Sequence, residues 1–325
     1  MTVKPIAGSR GDAATAALPR PRVSPARGLG GLLEDERTLA FLLLAPTALI
    51  LTIFIAYPFF RGVWLSVTSA TVGDPGLYVG LKNFERAWND TIFHRVAINT
   101  FVYTGVTTVF KLALGMWLAL LLNREFRAKR FARAFILLPF IIPTVLSTLA
   151  WQWLFDPTFS VINWCLWQLG LITQRINWLG DEYLALVSIM IVNVWRGVPF
   201  YAISLLAGLQ TVNPELQEAA AIDGATAWQR FWKITWPLLL PVTMVVVLFS
   251  VIQTFADFQL VYILTGGGPA NSTHLFATYA YQVGVATAKL GEGAAASLAM
   301  FPVLFLVVLF QLWYIRGSEG EKGAA

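Results

Sequence analysis

Glu218-Ala219-Ala220-Ala221-Ile222-Asp223-Gly224-Ala225, continued by Phe231, Ile234, Pro237 and Pro241, forms a polar island between two apolar runs of membrane length. Asn213 is placed to cap a helix, Pro214 suits its first position, and Glu215 and Glu218 favour the positive end of the helix dipole. Ala219 to Ala221 supply helix propensity with little bulk, so another surface can approach closely, and Gly224 after Asp223 offers a left-handed stop. A second amphipathic segment over 226–236 brings Trp228, Phe231, Trp232 and Thr235 towards one stripe. Pro237 and Pro241 then redirect the chain into the next apolar run. The stretch predicts two short helices joined by a glycine and presented as a compact knob at a membrane surface.

The rest of the chain supplies the membrane. Its 325 residues are 57% hydrophobic and 13% charged, with a mean hydropathy of +0.65, too apolar for a soluble globule. Crossing a hydrocarbon core of about 30 Å takes roughly 20 helical residues. Runs over 39–60, 97–122, 134–155, 184–206, 238–262 and 294–315 meet that requirement, so six transmembrane helices are expected. The apolar segment 161–173 is too short to span and reads as an interfacial or re-entrant piece. An all-α integral membrane protein follows.

Orientation comes from the basic residues. Lys4, Arg10, Arg20, Arg22, Arg27 and Arg37 precede the first run, and Arg124, Arg127, Lys129, Arg130 and Arg133 lie between the second and third. With Arg230, Lys233, Arg316 and Lys322 they put both termini and the polar island on the cytoplasmic side. Fewer basic residues, among them Lys82, Arg86, Arg95 and Arg175, fall on the other side. Trp64, Trp88, Trp151, Trp153 and Trp178 lie near the expected boundaries, as an aromatic belt does. The expected organisation is a disordered basic tail over 1–38, a first span with its outer loop over 39–95, a five-helix core over 96–316 containing the loop at 211–237, and a cytoplasmic tail over 317–325.

Several chemistries are excluded. The positive-inside pattern accounts for the net charge of +5, so no nucleic acid is implied. No G-x-x-x-x-G-K-[ST] run exists, so the chain has no P-loop of its own. Cys165 is the single cysteine, and His94 and His274 are far apart and read as ordinary loop residues, which leaves no disulfide or metal pattern.

The pattern of Glu218, Ala219, Ala220, Asp223, Gly224, Ala225, Phe231, Ile234, Pro237 and Pro241 resembles the EAA loop of permease subunits in binding-protein-dependent ABC importers. Asn83-Phe84, Asn99-Thr100, Leu138-Pro139 with Pro143, Trp151-Gln152-Trp153, Ala207-Gly208-Leu209-Gln210 and Leu264-Thr265-Gly266-Gly267-Gly268-Pro269 extend it to carbohydrate-importer permeases of the maltose-transporter type, over most of residues 39–315. The resemblance implies a type I ABC importer permease fold in a bacterial or archaeal cytoplasmic membrane and transport of a sugar or polyol by alternating access. It also implies an ABC ATPase dimer that binds ATP and Mg, a second permease subunit and an extracytoplasmic solute-binding protein. No cofactor belongs to this chain, which is a transport subunit and not an enzyme. Glu218, Ala219, Ala220, Asp223 and Gly224 are the implied ATPase-coupling residues.

The same resemblance points to a substrate site. Asn193-Val194-Trp195-Arg196-Gly197-Val198-Pro199-Phe200 is similar to a maltose-permease segment and implies Asn193, Arg196, Gly197 and Phe200 as sugar contacts. Counting back from the Thr265 turn adds Ser250, Gln253, Thr254 and Asp257, which share a helix face by their three- and four-residue spacing. Amides, hydroxyls and ions suit sugar hydroxyls, and polar residues inside spans tend to face a cavity or one another. Arg196 and Asp257 depart from the maltose pattern, and two readings stand: an ion pair with each other, or direct contact with ligand, with Arg196 then favouring an anionic or phosphorylated sugar. Lys111 snorkels or pairs in the second span and is given no site role. A permease for a non-sugar solute is the alternative. A more distant one is an ion-coupled secondary transporter using Asp257, which would have no use for the EAA loop.

Overall fold

The computed structural model describes the backbone of residues 36–322 and the side chains of residues 39–310 and 313. The expected tail over 1–38 falls outside them, apart from the backbone of 36–38. Residues 1–58 and 59–325 form two units. Helix α1, Leu39–Ser66, crosses the division and exposes Phe41, Leu43 and Phe54, as a lipid-facing span does.

The second unit is built on α3 (Thr91–Asn123) and α7 (Glu182–Leu209), whose packing is the most extensive in the molecule. They run parallel: Met116, Ala119 and Leu122 share a core with Tyr201, Leu205, Leu206 and Leu209, while Tyr103 meets Ile189 and Val192. Gly115 permits the close approach, since a Cβ there would lie 2.3 Å from Tyr201 Cβ. Lipid tails are as apolar as these side chains, so close packing and hydrogen bonds hold such helices together. α9 (Ala227–Phe255) lies against both, with Leu239 and Val246 in the first of those cores.

Among the described residues five helices are long and apolar enough to cross a membrane, and one bent pair brings the number to six when it is taken as a single span. The expected third span is that pair: α4 (Lys129–Ile141) and α5 (Thr144–Leu154) meet at 90°. Pro143 forces the break, because the residue before a proline avoids the helical region; Ile142 accordingly takes φ −61° and ψ 130°.

The fifth span differs from expectation at both ends. Pro237 and Pro241 do not redirect the chain; α9 begins at Ala227 and runs through both. A π-helical turn over Phe231–Thr235 immediately precedes Pro237, and its wider helix eases the ring past the preceding carbonyls. At the other end α9 stops at Phe255, not at 262, and a separate helix α10 (Gln259–Leu264) follows. The sixth crossing starts earlier than expected, as α12 (Leu290–Leu298), and resumes as α13 (Phe301–Lys322) after a break before Pro302.

Short elements close the two ends: α2 (Lys82–Asn89), α6 (Val161–Gln168), α8 (Pro214–Ile222) and α11 (Phe276–Tyr281). Buried Asn83 donates to the carbonyls of Ser66 and Thr68, and Asn99 to those of Ser272 and His274. The segment expected to be interfacial folds as α6 and a return, pinned by Trp178 Nε1 donating to Asn163 Oδ1 at 2.9 Å. The histidines are not ordinary loop residues. His94 stands in the first turn of α3, and His274 is buried, with Nδ1 3.1 Å from Thr278 Oγ1 and its ring tight against Gly267.

Candidate functional site

The EAA loop forms as its local chemistry requires. Asn213 Oδ1 accepts the Glu215 N–H at 3.0 Å, and Pro214 opens α8. The helix ends where Gly224 takes φ +82°, with the Gly224 and Ala225 N–H groups returning to the carbonyls of Ala221 and Ala220 at 3.1 and 2.9 Å. A Cβ at 224 would meet nothing within 4 Å, so the need for glycine is conformational and not steric. Glu218, Ala219, Asp223 and Gly224 are exposed and Ala220 is half-buried. Ile222 is 87% exposed on a helix with no buried residue. α8 therefore presents an apolar-tipped surface that the described part of this chain leaves bare.

The loop is braced, not free. Gln217 Nε2 donates to Thr235 Oγ1 at 3.0 Å, and Arg230 Nη1 to the Gln217 carbonyl at 3.3 Å. Thr226 and Gln229 form a capping box that starts α9. Trp228 and Trp232 then meet edge to face and Trp232 and Trp236 at a tilt, with centroids 5.5 and 5.7 Å apart. Thr235, expected on the same stripe, is instead buried beneath.

Midway along α7 lies a cavity of about 210 Å³. Asn193, Arg196, Gly197 and Phe200 line it from α7, and Ser250, Gln253 and Thr254 from the last turns of α9. Three further residues complete it: Lys111 from α3, Phe140 from α4 and Thr144 from α5. The break between α4 and α5 delivers the last two. Phe140 and Phe200 stack, their centroids 5.9 Å apart and planes 20° from parallel, as an aromatic wall. Irregular backbone at membrane depth is tolerated where it is buried in protein or borders a cavity.

Asp257 does not share the helix face expected of it. It lies past the end of α9, buried, outside the cavity lining. Its Oδ2 accepts from Tyr103 Oη at 2.9 Å and from Asn193 Nδ2 at 3.0 Å, and its Oδ1 accepts the Leu260 N–H that opens α10 at 3.4 Å. The ion pair between Arg196 and Asp257 is not formed: Arg196 Nη1 donates to Thr144 Oγ1. Lys111, 2% exposed, donates from Nζ to Thr254 Oγ1 at 2.7 Å. Among the described residues neither cation makes an ion pair.

Lys111 is the residue that reading the sequence undervalued. The available signal was a lone charge in an apolar run, which by its cost marks a candidate site. Gly197 has a second function beside it, since a Cβ there would lie 2.3 Å from Lys111 Cδ. The lysine stem therefore passes through the space that a side chain at 197 would fill.

Residues 111–318 match the family described as binding-protein-dependent transport system inner membrane component. The chain belongs to that family. The sulfoquinovosyl glycerol transport system permease protein SmoG of Agrobacterium fabrum is 36% identical over 286 residues, 87% of this chain and 92% of the relative. The trehalose/maltose transport system permease protein MalF of Thermococcus litoralis is 33% identical over 86% of this chain and 94% of its own. Among solved structures, a bacterial alginate ABC transporter in complex with an alginate pentasaccharide-bound periplasmic protein contains a chain with TM-score 0.72 and 26% identity, covering 84% of this chain and 92% of that one. A bacterial ABC transporter involved in alginate import gives TM-score 0.74 at 24% identity and supports the fold alone, covering 86% of this chain and 95% of that one. The fold of this inner membrane component is thus that of an ABC importer permease.

Proposed function

We propose that this permease moves a saccharide or polyol into the cytoplasm by alternating access, driven by an ABC ATPase dimer that binds ATP and Mg. The cavity carries this reading: hydroxyl, amide and cationic groups face an aromatic wall of Phe140 and Phe200, a surface complementary to a polyhydroxylated ring. The named relatives handle sulfoquinovosyl glycerol and trehalose or maltose, which supports the carbohydrate class. A second permease subunit completes the pathway opposite α3, α7 and α9, and an extracytoplasmic binding protein delivers the solute, a role supported by the alginate transporter's complex with an alginate pentasaccharide-bound periplasmic protein. Both termini and α8 are cytoplasmic. Closure of the ATPases draws α8 towards its counterpart and opens the cavity outward, and hydrolysis resets it. Glu218 anchors the contact, Ala219 and Ala220 allow close approach, and Asp223 and Gly224 fix the turn.

Two measurements test this. Gentle isolation of the tagged chain from its native membrane should bring down an ABC ATPase and a second permease. Recovery of this chain alone, active in ATP-free vesicles, would instead make it an ion-coupled transporter. In the intact importer Arg196→Ala should abolish uptake, and wild-type uptake kinetics would remove Arg196 from the solute path.

A further inference from the structure

We infer that the solute held in the cavity between α3, α7 and α9 carries an oxyanion, gripped between Lys111 and Arg196, and that the transported saccharide is therefore acidic. This rests on the reading of that cavity as the solute site. Burying a charge in a span is costly unless something opposite in sign meets it. Lys111 and Arg196 line the same small space, and Gly197, next in sequence to Arg196, is where the lysine stem passes. Their partners are the Thr254 and Thr144 hydroxyls, which accept a hydrogen bond but neutralise nothing.

Among the described residues the acid beside this group makes no direct contact with either cation. Asp257 is turned to Tyr103, Asn193 and the start of α10 and forms no ion pair with either. Two cations and one carboxylate leave a net positive site with donors still to offer: a lysine ammonium has three and a guanidinium five. A carboxylate, sulfonate or phosphate on the solute supplies both the missing charge and the acceptors, through charge-assisted hydrogen bonds. The stacked Phe140 and Phe200 in the same lining offer a flat apolar surface that suits a sugar ring, which a bare inorganic ion does not have.

Cells carrying the complete importer, and matched cells lacking this chain, are given glucose, maltose and trehalose mixed with glucuronate, galacturonate, glucose 6-phosphate, a sulfonated hexose and short oligouronides, and depletion of each is followed by mass spectrometry. Chain-dependent depletion should be confined to acidic members. Lys111→Gln and Arg196→Gln should each lower that uptake about tenfold or more at unchanged membrane abundance, with Arg196→Lys retaining more than Arg196→Gln. Chain-dependent depletion of a neutral member overturns the inference while leaving the sugar permease intact. No chain-dependent depletion of any saccharide overturns the sugar reading, and the inference with it.

Discussion

Asp257 shows how much a single side chain can organise when it is buried with its donors. It receives Tyr103 and Asn193 and closes the first turn of α10, linking three helices at the level of the cavity. Asp257→Ala strands three buried donors, Tyr103 Oη, Asn193 Nδ2 and the Leu260 N–H, at about 1–3 kcal/mol for each unsatisfied group. The thermal midpoint of the solubilised importer should fall by several degrees. Tyr103→Phe should cost less, and the double variant should fall short of the sum because the two share one interaction; strict additivity would refute the link. His274 gives a pH prediction. Burial lowers its pKa from the ordinary 6.5, so the unfolded chain binds a proton near pH 6.5 while the folded one resists it. Stability is then full above that pH and declines as pH falls towards the folded value. His274→Gln should flatten this decline in thermal midpoints measured from pH 7.5 to 5, and an unchanged slope would assign it to other groups. At this scale Asn193, Arg196 and Gln253 were reached through the resemblance to a permease family, while Lys111, a lone charge in an apolar run, was given no role. Phe140 and Thr144 were not legible, because only the bend beside Pro143 turns them to the cavity.

The helices' interruptions carry the design of the molecule. α4 and α5 part at Ile142 and Pro143, α9 and α10 part around Asp257, and the two breaks bring Thr144 and the last turn of α9 to the cavity. Hydropathy reads through such breaks because the apolar run continues across them, which is why 134–155 and 238–262 read as simple spans. The extension of α9 back to Ala227 was hidden for the opposite reason: prolines signal an end, and here a π-helical turn precedes Pro237 while Pro241 lies inside the continuing helix. The loop before it was fully legible, since caps, Pro214 and Gly224 are local devices that tertiary packing does not override. Gly224→Val isolates that element. At φ +82° a β-branched residue is strained by roughly 1–2 kcal/mol or more, yet its Cβ would meet no atom within 4 Å. The variant should therefore insert and assemble while the turn after α8 changes shape, giving ATP hydrolysis without matching uptake in proteoliposomes. Normally coupled transport would show that the turn's geometry is not what the ATPase engages.

For the whole molecule the open physical question is which face meets which compartment, and α7 decides how to ask it. Its 28 residues extend about 42 Å at 1.5 Å per residue, more than the roughly 30 Å hydrocarbon core. The segments flanking α7 must therefore lie on opposite sides of the membrane. Cys165, exposed on α6, is on its N-terminal side, and Glu218, exposed on α8, is on its C-terminal side. Arg124 and Arg127 lie between α3 and α4 and Lys129, Arg130 and Arg133 in the first turns of α4, at the end of the bundle where Leu122, Leu209 and Leu239 pack, so the positive-inside rule predicts that end to be cytoplasmic. The solitary cysteine then serves as a reporter without engineering. A membrane-impermeant maleimide should label Cys165 in intact spheroplasts, whereas a Glu218→Cys, Cys165→Ser chain should label only in inverted vesicles. The reverse pattern would place α8 outside, beyond reach of any cytoplasmic ATPase, and the coupling assignment of Glu218 and Gly224 would fall with the topology.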